Sequence, residues 1–136
     1  MPTNTGANRI DPVAEANSLA NSFYALSQAV DSFRFSSINP PLTAMQSGQL
    51  KDESQALDNR AHYFTAQAIG ATLQAIQGNL ANIKKLTAEA QQQVQTLNDV
   101  DKVIKIVTSA LSLGAAIAAG NIASIGSAVQ ALAGTV

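Results

Sequence analysis

The sequence has no cysteine and no tryptophan, and it contains a single histidine. Without cysteine the chain can form no disulfide, has no thiol chemistry and cannot build a zinc-finger site. Aromatic residues are few, with four Phe and two Tyr among 136 residues. Hydrophobic residues make up 46% of the chain, but many of them are alanine, so large apolar side chains are scarce. A chain of this length can form one domain with a modest core, and such a composition requires closely packed helices.

Charged residues are also scarce. Eight Lys and Arg stand against nine Asp and Glu, which gives a net charge of −1. This balance provides neither a basic surface for nucleic acid nor a polybasic patch for a membrane. The first residues, MPTNTGANRIDP, have no basic segment followed by an apolar run, so we expect no cleavable signal peptide. We therefore expect a protein that is cytoplasmic or exported without such a peptide, and not an obvious integral membrane protein.

The ionisable residues form no pattern typical of an enzyme. His62 follows Asp58 by four residues on a predicted helix, a spacing more typical of a solvated pair than of a general base with its partner. A single histidine cannot complete the Glu-x-x-His sites of a di-iron bundle. Asp99 and Asp101 lack the glycine and closing glutamate of a calcium loop, and no glycine-rich phosphate loop is present. We predict no enzyme activity, no cofactor, no metal site and no small-molecule substrate.

The N-terminal third of the chain predicts one helix between two irregular segments. Residues 1–10 are polar and are expected to be disordered. A helix is predicted over residues 12–34, because an Asp-Pro pair at its start supplies a cap and a favoured first residue. Pro40 and Pro41 interrupt helical structure after it. Apolar residues recur along the helix at spacings of three and four, as one buried face requires: Ala16, Leu19, Phe23, Leu26, Val30 and Phe33.

Residues 44–98 are predicted to be helical, either as one long kinked helix or as a split one. The repeat of Leu50, Leu57 and Phe64 is out of phase with the apolar repeat that follows it. A phase change indicates a bend or a break, here near residues 60–70. We favour a long helix with a kink. The second repeat is the most regular in the chain and consists of Ile69, Leu73, Ile76, Leu80, Ile83, Thr87, Ala90, Val94 and Leu97.

The last 31 residues, 106–136, contain no charged residue. Helices are expected at about 100–119 and 122–134, since Asp99 can cap the first and Gly120-Asn121 can end it. The short turn before the first of them predicts that it folds back antiparallel on its predecessor.

Together these patterns predict an all-α fold. We expect a single domain over residues 11–136, built as an antiparallel bundle of about four helices. Its C-terminal helix or hairpin, rich in Ala and Gly, is expected to be buried, because the amphipathic faces of residues 16–33 and 69–97 need an apolar partner.

The uncharged tail could be buried either in protein or in lipid. Its first helix is apolar around nearly its whole circumference, and small residues recur every four positions, a pattern that allows close helix packing. A bilayer span needs roughly 20 predominantly apolar residues, whereas the run at 103–119 is shorter and includes Lys105. We favour a core helix and keep conditional membrane insertion as the alternative. The candidate residues for contact with a partner or a membrane are Val103, Ile106, Val107, Leu111, Gly114, Ile117, Gly120, Ile122 and Ile125.

A polar helical body followed by an uncharged Ala/Gly/Ser/Ile hairpin resembles the layout of bacterial helical pore-forming toxins and secretion-system translocators. The resemblance covers residues 100–136 and lies in composition. It implies a hairpin that is shielded in the soluble form and released on contact with a membrane. No functional residue of those families is carried over to this chain.

Two functional hypotheses follow. The first is a non-enzymatic bacterial interaction or structural protein, cytoplasmic or exported, whose apolar C-terminal region mediates core packing, self-association or binding of a protein partner. The second is a membrane-active effector or toxin component, in which residues 103–132 insert into the bilayer. Neither hypothesis involves nucleic acid.

Overall fold

The structure, a computed structural model, describes residues 11–36 and 41–136. These residues form an all-helical protein with no strand among them. A 3-10 turn at Gln77–Asn79 precedes the fourth of six α-helices. The helices are α1 (Pro12–Phe35), α2 (Ala44–Tyr63), α3 (Ala66–Ala75), α4 (Leu80–Thr96), α5 (Val100–Ala119) and α6 (Ile122–Thr135). The expectations for residues 1–10 and for Pro40 lie outside the described residues.

Most helix starts are fixed by side chains that accept backbone hydrogen bonds. The carboxylate of Asp11 accepts from the first turn of α1, and that of Asp99 does the same for α5. Thr43 and Gln46 form a capping box at the start of α2, with bonds of 3.1 and 2.9 Å in the two directions. These contacts satisfy amide donors that have no partner within a helix. Each of them is local in sequence, which makes the helix bounds predictable.

The segment 44–98 is split into separate helices, so the long kinked helix that we favoured is not what the structure shows. Thr65 is extended (φ −123°, ψ 160°), and its hydroxyl caps α3 by accepting from the Ala68 amide at 3.2 Å. Phe64, directly before this break, is buried with its ring 5.1 Å from that of Phe23. The break has a physical reason: it lets both Phe64 and the out-of-phase repeat that starts at Ile69 point into the core.

Helices α1 and α5 face the core from two sides and share the same neighbours. Helix α1 packs against α2, α3 and α4, and α5 packs against α2, α3, α4 and α6. All six apolar residues predicted for the face of α1 are buried. One continuous core receives residues from every described α-helix.

Helices α2 and α5 run parallel to each other, which differs from the antiparallel arrangement that we expected. Glu53 on α2 bonds Thr108 on α5, and further along both helices Arg60 lies over Gly114. The paired positions therefore advance together. The reason is the connection between them, because α3 and α4 intervene and return the chain to the end at which α2 begins. By contrast, Ser27 on α1 bonds Ser54 while Phe23 contacts Phe64, so α1 and α2 are antiparallel.

Candidate functional site: the α5–α6 hairpin

Helix α5 is the most apolar long element of the protein. Its charged residues, Asp101, Lys102 and Lys105, all lie in its first six positions. In the described part of the chain it alone is long and apolar enough to cross a membrane, with a mean hydropathy of 1.6 over its most apolar window. Of that window, 44% is buried inside the protein. Length and composition are thus compatible with a bilayer, while the observed location is a protein core.

A tight turn joins α5 to α6. Gly120 ends α5 in the left-handed conformation (φ 72°), which favours glycine. The side chain of Asn121 then caps α6 by accepting from the Ser124 amide at 3.1 Å. Farther from the turn, the hydroxyls of Ser109 and Thr135 lie 3.2 Å apart, so α6 folds back along α5. The two helices form a hairpin.

The hairpin uses only one face of α6 for packing. Ile125, Ala128 and Leu132 are buried against the rest of the protein. The outer face holds Ala, Ser, Gly and Gln together with Ile122, and no charged residue. Between the two helices runs an open groove of about 430 Å³, lined by Ser112, Ala123, Ser124, Ser127, Ala128 and Ala131. A helix on the outside of the fold therefore presents an uncharged surface of small residues.

The structure places the nine predicted contact residues in different environments. Six are buried in the core: Val103, Ile106, Val107, Gly114, Ile117 and Ile125. Leu111 is half-buried, and Gly120 and Ile122 are exposed at the turn, Ile122 to 47%. The buried six, five on α5 and Ile125 on α6, could contact a partner or a bilayer only if the hairpin left the core. Their contact role stays a prediction, while Ile122 is directly accessible.

In addition to the hydrogen bond that Gln93 on α4 donates to the carbonyl oxygen of Val136 at 2.9 Å, three contacts join α5 and its turn to α1, α2 and α3. A Cβ atom at Gly114 would lie 2.8 Å from the Phe23 ring and 3.0 Å from the Cγ atom of Arg60, so both side chains occupy the space that glycine leaves. A Cβ atom at Gly120 would lie 3.2 Å from the hydroxyl of Thr72 on α3. The third contact is the hydrogen bond between Glu53 and Thr108. Sequence reasoning missed Arg60, Thr72, Glu53 and Thr108, because their partners are distant in sequence and no local pattern marks them.

The Glu53 contact has an unusual electrostatic environment. The hydroxyl of Thr108 donates to Oε2 of Glu53 at 2.7 Å. Oε1 of the same carboxyl group is buried and has no hydrogen-bond partner among the described residues. Burial raises the pKa of the Glu53 carboxyl group above its ordinary value, and the Thr108 hydrogen bond counteracts part of this shift.

The His62 pair is a second polar feature, in a cleft between α1 and α2. Its Nδ1 atom lies 2.8 Å from the backbone carbonyl of Asp58 and 3.7 Å from the carboxylate of the same residue. The cleft also contains Tyr24 and Asn21, and it is open to solvent. The described residues contain no group of three His, Cys, Asp or Glu that could hold a metal ion. The imidazole is exposed and bonded within its own helix, so its geometry is that of a surface pair.

Comparison with protein-family models, with curated proteins and with solved structures gave no match.

Proposed function

We propose that the protein is a non-enzymatic interaction protein whose contact surface is the charge-free outer face of the α5–α6 hairpin. One observation carries the proposal: a helix on the outside of the fold and its cap residue Asn121 together have ten exposed residues, and none of them is charged. A surface helix normally carries charged residues on its exposed face. Small uncharged residues instead allow the backbone of a second helix to approach closely.

We infer that the partner is a second copy of the same chain. An isologous contact places the same residues of two copies against each other. Charged residues would then repel, whereas the outer face of α6 has none. The 14 residues of α6 span only about 21 Å, so the outer face of this helix offers a small contact surface. The expected association is therefore weak and dependent on concentration.

The proposal is tested by measuring the mass of the protein in solution over a series of concentrations, by light scattering or sedimentation. We expect the mass of the wild-type protein to rise with concentration and that of Gly126→Glu to stay at one chain. A Cβ atom at Gly126 meets nothing within 4 Å, so the variant should fold. Gly48→Glu on α2 is the matched control, because a Cβ atom there also meets nothing within 4 Å. A wild-type mass that stays at one chain, or equal behaviour of both variants, would overturn the proposal.

Membrane insertion of the hairpin is the second candidate function. It is favoured by the length of α5, since 20 helical residues span about 30 Å, the thickness of a hydrocarbon core. In this case the hairpin leaves the bundle and α5 crosses the bilayer. We expect leakage from phospholipid vesicles and loss of the amide protection that α5 has in the core. Intact vesicles together with unchanged exchange of α5 amides in their presence would exclude this candidate.

The arrangement of the other helices supports either function. We infer that α1, α2, α4 and α5 form a four-helix core in which α1 packs on α2 and α4, and α5 packs on the same two helices. Helix α3 then crosses one end of this core, and α6 lies outside it. The outer face of α6 is exposed without any rearrangement of this core.

A further inference from the structure

Glu53 lies where α2 meets the apolar helix α5. It and Thr108 are 55 positions apart in sequence, and their hydrogen bond joins the two helices directly. Among the described residues it is the only side-chain hydrogen bond recorded between α2 and α5. The rest of that contact is apolar or steric, such as the Arg60 side chain over Gly114. The carboxyl group of Glu53 therefore supplies the polar link between α2 and α5.

The two oxygens of this carboxyl group differ. Oε2 accepts the hydrogen bond from Thr108, whereas Oε1 is buried without a donor. A buried carboxylate oxygen without a donor destabilises the ionised form, because it has lost the hydrogen bonds of water and gained none. A proton on Oε1 removes the buried negative charge, so the neutral carboxyl group costs less at this position than the carboxylate does. Oε2 can still accept from Thr108, so the link between the helices is kept.

We propose that Glu53 and Thr108 form a proton-operated latch that holds α5 on α2 more firmly when the carboxyl group is protonated than when it is ionised. Acidification then retains the hairpin in the core, and a rise toward neutral pH loosens it. This effect of pH on α5 does not depend on what the hairpin binds.

Neighbouring charges do not neutralise Glu53. In the described part of the chain no ion pair includes it. On α1, Asp31 and Arg34 bond each other at 3.3 Å, and Asp31 lines a cleft with Tyr24 and Asp58. The other ionisable groups on α2 and α5 are Lys51, Asp52, Asp58, Arg60, His62, Tyr63, Asp101, Lys102 and Lys105.

The sign of the pH effect follows from the direction of the pKa shift. Burial raises the pKa of Glu53 in the folded protein above its value in the unfolded chain. The folded state therefore binds this proton more tightly, and protonation stabilises it. The stabilisation is complete below the unfolded pKa and is lost as the pH rises through the folded pKa. Each unit of separation corresponds to about a tenfold change in the unfolding equilibrium constant.

The test compares wild-type protein with Glu53→Gln, whose neutral amide resembles the protonated acid. Hydrogen exchange of α5 amides is measured at matched pH values from neutral to about pH 5, where intrinsic exchange rates cancel between the two proteins. At neutral pH we expect slower exchange in Glu53→Gln, by up to about tenfold per unit of pKa separation, and a difference that shrinks on acidification. Glu89→Gln on the exposed side of α4 is the matched control and should show no such difference.

A direct titration completes the test. The side-chain carboxyl resonance of Glu53 should titrate above the ordinary pKa of a glutamate, and Thr108→Val should move it higher still, because the variant removes the donor that favours the ionised form. A Glu53 resonance that titrates at or below the ordinary pKa of a glutamate would overturn the latch. So would exchange in Glu53→Gln that equals or exceeds the wild-type rate at neutral pH. Neither result bears on the mass measurement with Gly126→Glu, so the two proposals fail separately.

Discussion

At the scale of single residues, Gly114 shows how a small side chain positions α5. The space beside it is filled by Phe23, whose buried ring packs edge-on against Phe64, and by Arg60. Gly114→Ala would place a Cβ atom 2.8 Å from that ring. Overpacking costs about 1–3 kcal/mol, and the better helix propensity of alanine offsets up to about 1 kcal/mol of it. We expect a net loss of about 1–2 kcal/mol in the free energy of unfolding, measured by chemical denaturation.

The control for this prediction is Gly126→Ala. Position 126 is also helical, but a Cβ atom there meets nothing within 4 Å. Only the propensity gain remains, so this variant should be more stable than the wild-type protein by up to about 1 kcal/mol. If the free energy of unfolding falls in Gly114→Ala and rises in Gly126→Ala, packing at position 114 is the cause. If Gly114→Ala were as stabilising as Gly126→Ala, the Phe23 ring would not fill the space beside residue 114.

The two glycines also mark a limit of sequence reasoning at this scale. Both belong to the same uncharged tail, and in the sequence both look like small residues that allow close packing. What separates them is the identity of the neighbour. Phe23 and Arg60 are far from Gly114 in sequence, so no local pattern could indicate that their side chains fill its space.

At the scale of the single helix, a substitution on α5 can test whether this helix is part of the core or peripheral to it. Ile117 is fully buried near the end of α5. Ile117→Asp places a carboxylate there without a partner, which should cost more than about 4 kcal/mol and abolish cooperative unfolding. Circular dichroism during urea denaturation measures the loss. Retention of a cooperative transition in this variant would mean that α5 is peripheral to the core.

Ile122→Asp is the matched control for that substitution. Ile122 is 47% exposed at the first position of α6. A carboxylate at a helix N-terminus interacts favourably with the helix dipole. The stability of this variant should stay within about 0.5 kcal/mol of the wild-type value.

Single helices could be predicted closely because their signals are local. The caps at Asp11 and Asp99 and the stop at Gly120 are each read from a few neighbouring residues. Local signals did not predict that residues 44–98 split into separate helices. The phase change located the irregularity, but whether the chain bends or breaks depends on Phe64 finding a place against Phe23, which is a tertiary contact.

At the scale of the whole molecule, the order of helices around the core could not be predicted from the sequence. Amphipathic faces show which side of each helix is buried but not which helix lies opposite. Short turns favour antiparallel neighbours, and that rule holds for the α5–α6 hairpin. It does not reach α2 and α5, which are separated by α3 and α4. Their parallel pairing follows from long-range contacts alone.

The parallel pairing can be tested with cysteine pairs, since the chain has no cysteine of its own. Gln46 near the start of α2 and Asp101 near the start of α5 line the same cleft of about 470 Å³. A short thiol cross-linker should therefore join Gln46→Cys to Asp101→Cys within one molecule, as seen by mass spectrometry. The control pairs Gln46→Cys with Ala115→Cys, which lies 14 residues and about 21 Å farther along α5. Efficient linking of the control pair and none of the first would mean that α2 and α5 are antiparallel.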